Sequence, residues 1–178
     1  DLNAAWLENF HKLGPSFSPP HWSVARRSLL GAYFTHEYSV ESAALFNPSM
    51  VLKGDPASDG SQHFVMSLRS TGEGHISSIS FLEGTIALDG TIAVSERDRK
   101  IHAGTLLPTD DPEEYDVVFD PNIPINSRIL FPVSPGESNG MEDVRLTRMQ
   151  IEEGEEIYYG TYTAYNGRTI MPKLIRTR

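Results

Sequence analysis

Apolar residues in the first part of this chain follow the spacing of helices. Residues 2–13 and 21–34 place apolar side chains three or four positions apart, which predicts two amphipathic helices. Gly14-Pro15 ends the first helix, and Pro19-Pro20 marks a linker before the second. We therefore predict an N-terminal helical segment over residues 1–38.

From Phe46 the pattern changes to short alternating runs that are separated by turn residues, as in β structure, and we assign residues 39–178 to this β part. Asp89-Gly90 between two apolar runs is a strong hairpin signal. A four-stranded antiparallel unit built from the first of these runs would be the size of one blade of a β-propeller. A β-sandwich fits the pattern nearly as well. The predicted strands are Phe46–Leu52, His63–Arg69, His75–Leu82, Thr85–Leu88 and Ile92–Ser95.

A long connection, residues 96–138, interrupts the β pattern. It is charged and contains six prolines, and we expect it to wrap the surface as an insertion. A second group of strands begins near Met141. The predicted fold is therefore mainly β, with about two antiparallel four-stranded blades over residues 39–178 after the N-terminal helices.

Composition narrows the classes of function. The chain has 15 basic and 24 acidic residues and a net charge of −9, which argues against nucleic acid or an anionic membrane as a partner. It has no cysteine, so disulfides and thiol nucleophiles are excluded. The N-terminus lacks a basic segment followed by an apolar run. We predict a cytoplasmic protein, although a leader removed before Asp1 would make it periplasmic or secreted.

The candidate chemistry lies in residues 138–165. Glu142, Asp143 and Arg145 stand within four residues, at the entrance to two strands joined by the acidic tip Glu152–Glu156. A carboxylic acid near a second carboxylate and an arginine can protonate a glycosidic oxygen, and tyrosines offer faces for sugar rings. The alternative is an ordinary exposed ion pair in a turn.

Five short motifs, in this order along the chain, resemble the β-mannoside phosphorylases of glycoside hydrolase family 130. The Gly-x-Glu-Asp-x-Arg motif, followed by Tyr-Thr-Ala-Tyr, is the most specific of them. The resemblance covers about residues 34–178. The motifs are Phe46–Ser49, Ser67–Arg69, Gly74–Ser77, Gly140–Arg145 and Tyr159–Tyr165.

The resemblance implies the fold of that family, a five-bladed β-propeller whose central funnel holds the active site. By this resemblance the chain corresponds to the N-terminal helices and about two blades. The missing blades would follow Arg178 or come from further copies in a homo-oligomer.

The resemblance also implies roles for individual residues. Asp143 matches the catalytic aspartate of the family and would be the general acid, although Val144 replaces the proline that follows it in the family. Tyr162 and Tyr165 would pack below Asp143.

The same comparison assigns the sugar subsite next to the scissile bond. Asn47, Arg69 and Glu142 would line this subsite, and Arg145 would orient the acid from behind. His75, beside a glycine, is a further candidate to donate to a sugar hydroxyl. Each has a structural alternative: an asparagine before proline forms turns, a strand arginine forms ion pairs, and a histidine is satisfied within a sheet.

The implied reaction is inverting cleavage of a β-mannoside. Phosphate attacks the anomeric carbon while the acid protonates the leaving oxygen, and in this family a sugar hydroxyl is thought to relay the proton. The substrate would be a disaccharide or oligosaccharide, with inorganic phosphate as a co-substrate or with water in its place; no metal and no other cofactor are predicted. A non-catalytic carbohydrate-binding or assembly module is the alternative.

Overall fold

The computed structural model of the chain describes residues 2–14, 21–36, 38–97, 100–151 and 156–178. The predicted linker Pro19-Pro20 and the tip residues Glu152–Glu155 lie outside the described residues. The chain divides into two compact units, Asp1–Tyr38 and Ser39–Arg178.

The first unit contains two helices, α1 (Leu2–Lys12) and α2 (Val24–Tyr33). Ser23 caps α2, since its hydroxyl accepts a hydrogen bond from the Arg26 N–H. Gly31 allows the helices to approach closely, because a Cβ at this position would overlap the Trp6 carbonyl. Among the described residues, no helix has the length and apolar character needed to cross a bilayer.

The second unit is built of strands. Over the described residues of this unit, nine strands form one mixed sheet, and β6 and β7 form a separate hairpin. The strands are β1 (Ala44–Lys53), β2 (Gln62–Thr71), β3 (Ser77–Ile86), β4 (Ile92–Val94), β5 (His102–Ala103), β6 (Thr105–Pro108), β7 (Tyr115–Val118), β8 (Arg128–Leu130), β9 (Gly140–Gln150), β10 (Glu156–Tyr165) and β11 (Ile170–Thr177).

The main path of the large sheet runs β1-β2-β3-β9-β10-β11. It consists of two antiparallel three-stranded meanders, β1-β2-β3 and β9-β10-β11. A single parallel pair, Ser77 with Gly140, links the meanders along the strand order. Side chains from both meanders then share one hydrophobic cluster, which contains Val65 and Ile79 from the first and Val144 and Tyr162 from the second.

The predicted propeller blades are wrong. The sheet is not divided into separate four-stranded antiparallel units, because β3 continues through Gly84 to Ile86 and pairs with strands of both meanders. Only the end of β3 forms the expected hairpin with β4, and the pairing of Ile86 with Ile92 closes it. The sequence prediction ended one strand at Leu82 and began the next at Thr85, with Gly84 between them. A Cβ there would lie 2.2 Å from the Ala93 carbonyl oxygen and 2.8 Å from the Phe64 ring, so this glycine serves close packing inside a strand.

The 96–138 connection does more than wrap the surface. Its strand β8 pairs with β3, and it contributes Ile129 and Leu130 to the buried interior. It also contributes the fully buried carboxylate of Glu137. A connection with its own short strands and buried side chains is part of the core of this unit.

Candidate functional site

Each meander carries a β-bulge in its first strand. In β1, Asn47 and Pro48 together oppose Leu68, because the register shifts by one residue between Phe46 and Ser49. In β9, Asp143 and Val144 oppose Tyr162 in the same way. Bulges bend a strand and redirect its side chains, and they occur often next to active sites.

One residue in each bulge has an unusual backbone conformation, and so does His75 in a turn. Outside the glycines, only Asn47 (φ 52°), His75 (φ 58°) and Asp143 (φ 55°) have a left-handed conformation among the described residues. This conformation costs a residue with a Cβ about 1–2 kcal/mol, although asparagine and aspartate tolerate it best. All three are residues that the sequence singled out as site candidates, and strained backbone of this kind clusters at functional sites.

The two bulges are joined by their side chains. Asn47 Nδ2 donates a 2.6 Å hydrogen bond to Asp143 Oδ1, which connects residues 96 positions apart. Arg69 on β2 donates from NH2 to Glu142 Oε1 at 2.6 Å, and its NH1 lies 3.9 Å from Asp143 Oδ1. Asn47, Arg69, Glu142 and Asp143 therefore form one polar cluster, which we call the bulge cluster.

The guanidinium of Arg69 has a fixed orientation. Its Nε donates to Ser77 Oγ at 2.9 Å, and its planar group lies 4.8 Å from the centre of the Phe46 ring. The side chain of Arg69 is 21% exposed, whereas that of Asp143 is 37% exposed. One cation is thus held between two carboxylates, with Asp143 the more open of the two acids. Sequence reasoning did not assign Phe46 or Ser77 to the site, although both lie in the motifs that carry the resemblance.

Two predicted residues stand apart from the bulge cluster. Arg145 is exposed, and its NH1 donates to the Pro48 carbonyl at 2.8 Å, so it ties β9 to the β1 bulge. His75 is exposed in the turn Glu73–His75 between β2 and β3. Among the described residues, the hydrogen bonds of the bulge cluster do not include His75.

A second polar group lies behind the β9 bulge, and its central residue, Glu137, was not predicted from the sequence. Tyr162 donates a hydrogen bond to Glu137 Oε1, and Tyr115 donates to Oε2 at 2.9 Å. The backbone N–H groups of Val133 and Ser134 donate to Oε2 at 3.2 Å. A Ser-Pro-Gly-Glu capping box at residues 134–137 was the available sequence signal, but such a turn is usually exposed.

These hydrogen bonds shift the ionisation of the groups involved. Burial disfavours the charged form of Glu137, but the donors Tyr162, Val133 N–H, Tyr115 and Ser134 N–H outweigh burial and hold its pKa below the ordinary value. Burial and the neighbouring Glu137 charge raise the pKa of both tyrosines, Tyr115 and Tyr162. Glu137 is therefore an ionised carboxylate in a fully buried position at neutral pH.

Lys173 on β11 lies beside this second group and pairs mainly with Glu113. Its Nζ donates to the Glu113 carboxylate at 2.6 Å, to the Glu113 carbonyl at 3.0 Å and to Ser134 Oγ at 2.8 Å, and it lies 3.6 Å from Glu137 Oε1. An ammonium group has three donors, so these contacts use all of them. Lys173 consequently supports the fold and offers no free donor to a ligand.

Tyr162 and Tyr165, which were both predicted to pack below Asp143, lie in different surroundings. Tyr162 lies in the hydrophobic cluster beside Val144, directly opposite the bulge at Asp143. Tyr165 pairs with Gly140, and its carbonyl accepts a hydrogen bond from the Asn139 N–H at 2.9 Å. Tyr162 thus supports the bulge, and Tyr165 fixes the start of β9.

Within the described residues, no group of three or more histidine, aspartate or glutamate side chains is placed to hold a metal ion. The bulge cluster instead offers an open carboxyl group, a second carboxylate and an oriented guanidinium. These groups can bind hydroxyls through two or more hydrogen bonds, and the open carboxyl group can transfer a proton. Comparisons of this chain with protein families, with curated proteins and with solved structures found no match.

Proposed function

We propose that this chain acts on β-mannosides and that Asp143 is the general acid in inverting cleavage of the glycosidic bond. The observation that carries the proposal is the bulge cluster. Four of the six residues that the resemblance and the sequence assign to the site come from three strands and form one connected group: Asn47, Arg69, Glu142 and Asp143. The proposal concerns this site and its chemistry and does not include a propeller fold.

Each group in the cluster has a role in this reaction. Asp143 delivers its proton to the glycosidic oxygen, directly or through a sugar hydroxyl, as the bond between that oxygen and the anomeric carbon breaks. Glu142 and Arg69 hold sugar hydroxyls, since a carboxylate accepts and a guanidinium donates. Asn47 holds Asp143 Oδ1 and leaves the other carboxyl oxygen to the substrate.

The nucleophile decides the product. An oxygen of inorganic phosphate bonds to the anomeric carbon in phosphorolysis and gives mannose 1-phosphate, whereas water gives mannose. An inverting hydrolase needs a second carboxylate that activates water, typically about 6.5–9.5 Å from the acid. Glu142 is already ion-paired to Arg69 at 2.6 Å, which argues against a role of Glu142 as that base.

The test is product analysis with β-1,4-mannobiose and mannosyl-glucose, each with and without inorganic phosphate. We expect mannose 1-phosphate only when phosphate is present and a loss of at least about 100-fold in Asp143→Asn. Asp116→Asn, at an exposed carboxylate on β7, is the matched control and should keep full turnover. Free mannose without phosphate would indicate a hydrolase.

A non-catalytic carbohydrate-binding role is the second candidate. The hydrogen bond between Asn47 and Asp143 favours it, because it occupies one oxygen of the acid at 2.6 Å. The same cluster would then bind sugar without cleaving it. Saturable binding of mannobiose to the wild-type protein, with no turnover under either phosphate condition, would support this role and contradict the enzymatic one.

A further inference from the structure

Tyr162 occupies the position in β10 that lies opposite the β9 bulge. Thr161 pairs with Arg145 and Thr163 pairs with Glu142, so Tyr162 alone faces the two residues Asp143 and Val144. The side chain of Tyr162 is buried in the hydrophobic cluster that also contains Val144. One aromatic side chain of the core therefore lies at the position opposite the bulge.

The hydroxyl group of Tyr162 is also held in place, by a buried hydrogen bond. It donates to Glu137, whose carboxylate is 0% exposed and also accepts from Tyr115 and from the Val133 and Ser134 N–H groups. Glu137 belongs to the short helical turn Pro135–Glu137, and the capping box fixes that turn. Tyr162 thus binds to a rigid acceptor.

We infer that Glu137 is a positioning residue for Asp143: through Tyr162 it holds the β9 bulge and, with it, the left-handed backbone that directs the Asp143 carboxyl toward Asn47. This inference rests on the proposed function for its effect on turnover. Its structural part concerns the backbone of Asp143 alone.

The anchor is needed because a bulge competes with regular pairing. If the bulge were lost, the part of β9 before it would shift by one residue against β10. The side chains of that part would then point to the opposite face of the sheet. Asp143 would then adopt extended backbone and lose the contact between its Oδ1 and Asn47 Nδ2. A hydrogen bond from Tyr162 to a fixed, buried carboxylate opposes this slip.

The test compares two tyrosines that bind the same carboxylate. Tyr162→Phe removes the hydrogen bond behind the bulge, and Tyr115→Phe removes the bond to the other oxygen of Glu137. Both variants keep the aromatic ring and remove one hydroxyl that donates to Glu137. Glu137→Gln is the second test variant, and it keeps the shape of the side chain.

The first measurement is the backbone conformation of Asp143, from the ¹³Cα and ¹³Cβ chemical shifts of the folded variants. We expect the left-handed conformation in the wild type and in Tyr115→Phe, and a shift toward extended values in Tyr162→Phe and Glu137→Gln. Left-handed shifts retained in both test variants would overturn the inference. This measurement needs no activity, so it decides the inference even if the wild type proves inactive on mannosides.

The second measurement is turnover of the mannoside substrate by each variant. We expect kcat to fall about 10- to 100-fold in Tyr162→Phe, as for a misplaced catalytic group, while KM changes less than about threefold. Tyr115→Phe should keep kcat within about threefold of the wild type. Equal losses of kcat in the two tyrosine variants, with left-handed Asp143 shifts retained in both, would show that Glu137 acts on overall stability and not on Asp143.

Discussion

The amide of Asn47 and the carboxylate of Asp143 meet at 2.6 Å, and both residues have left-handed backbone at a β-bulge. One hydrogen bond therefore connects the bulge in β1 to the bulge in β9. Since such backbone is costly for a residue with a Cβ, this contact joins two strained positions.

The left-handed backbone at Asn47 can be tested with two substitutions. Asn47→Gly removes the amide but adopts φ 52° without strain, whereas Asn47→Ala removes the amide and meets the steric penalty. We expect Asn47→Ala to lower the free energy of unfolding by about 1 kcal/mol more than Asn47→Gly. Urea unfolding of the three proteins measures the difference. Equal losses would contradict a left-handed Asn47 in solution.

Arg69 should not be replaceable by lysine. The guanidinium group of Arg69 donates hydrogen bonds to Ser77 through Nε and to Glu142 through NH2. Its plane lies against the Phe46 ring. An ammonium group cannot keep these directions, so Arg69→Lys should cost about 1 kcal/mol in the free energy of unfolding. If the proposed function holds, turnover should fall at least about 10-fold.

Arg176→Lys is the matched control for this prediction, because Arg176 is an exposed arginine on β11. We expect it to change the free energy of unfolding by less than about 0.5 kcal/mol and to leave turnover unchanged. Parallel urea unfolding and turnover assays compare the two variants. An Arg69→Lys protein with wild-type stability and turnover would show that the fork geometry of Arg69 is dispensable.

Glu137 should make stability depend on acid pH. Its pKa in the folded protein lies below the ordinary 4.5 that applies in the unfolded chain, so the unfolded chain binds the proton first as the pH falls. The stabilisation is complete above the unfolded pKa and is lost as the pH falls through the folded one. The urea midpoint of the wild type should thus decrease below about pH 5.

The variant Glu137→Gln separates this contribution from that of other acids. It should lower the free energy of unfolding at pH 7 by about 1–3 kcal/mol, because it leaves buried donors poorly matched, and its midpoint should depend less on acid pH. Glu113, whose pKa the Lys173 contact lowers, keeps part of the dependence in the variant. Glu114→Gln, at an exposed side chain, is the control. An unchanged pH profile in Glu137→Gln would refute the assignment.

Gly84→Ala should be strongly destabilising although the backbone there is an ordinary strand. The added methyl would meet the Ala93 carbonyl at 2.2 Å and the Phe64 ring at 2.8 Å. We expect a loss of about 1–3 kcal/mol in the free energy of unfolding, from forced movement of β4 or of the ring. Gly90→Ala, where the methyl would meet no atom within 4 Å but φ is 85°, should cost less. Thermal unfolding can rank the two, and the reverse order would contradict the close packing at Gly84.

Sequence patterns located most of the strands and both helices, because apolar periodicity depends on which face each segment buries. They did not give the sheet order. Gly84 shows why: a glycine before a hairpin reads as a turn, and only the distance to the Phe64 ring reveals a packing role. No local sequence pattern predicts the parallel pairing of Ser77 with Gly140 either, because these residues are 63 positions apart.

The candidate site was predictable in part. Resemblance and charge spacing led to Asn47, Arg69, Glu142 and Asp143, which the structure places in contact. Glu137 was missed because burial of a charged side chain depends on partners from distant strands, and a glutamate in a short capped turn is normally exposed.

The joining of two bulges by one hydrogen bond also bears on the order of folding. Each meander pairs strands that are neighbours in the chain, so each can form from local hairpins with small loop-closure cost. The contact between Asn47 and Asp143 requires both meanders, because each residue belongs to a different one. The site therefore cannot form before both meanders are in place, and during synthesis it cannot assemble before β9 has left the ribosome.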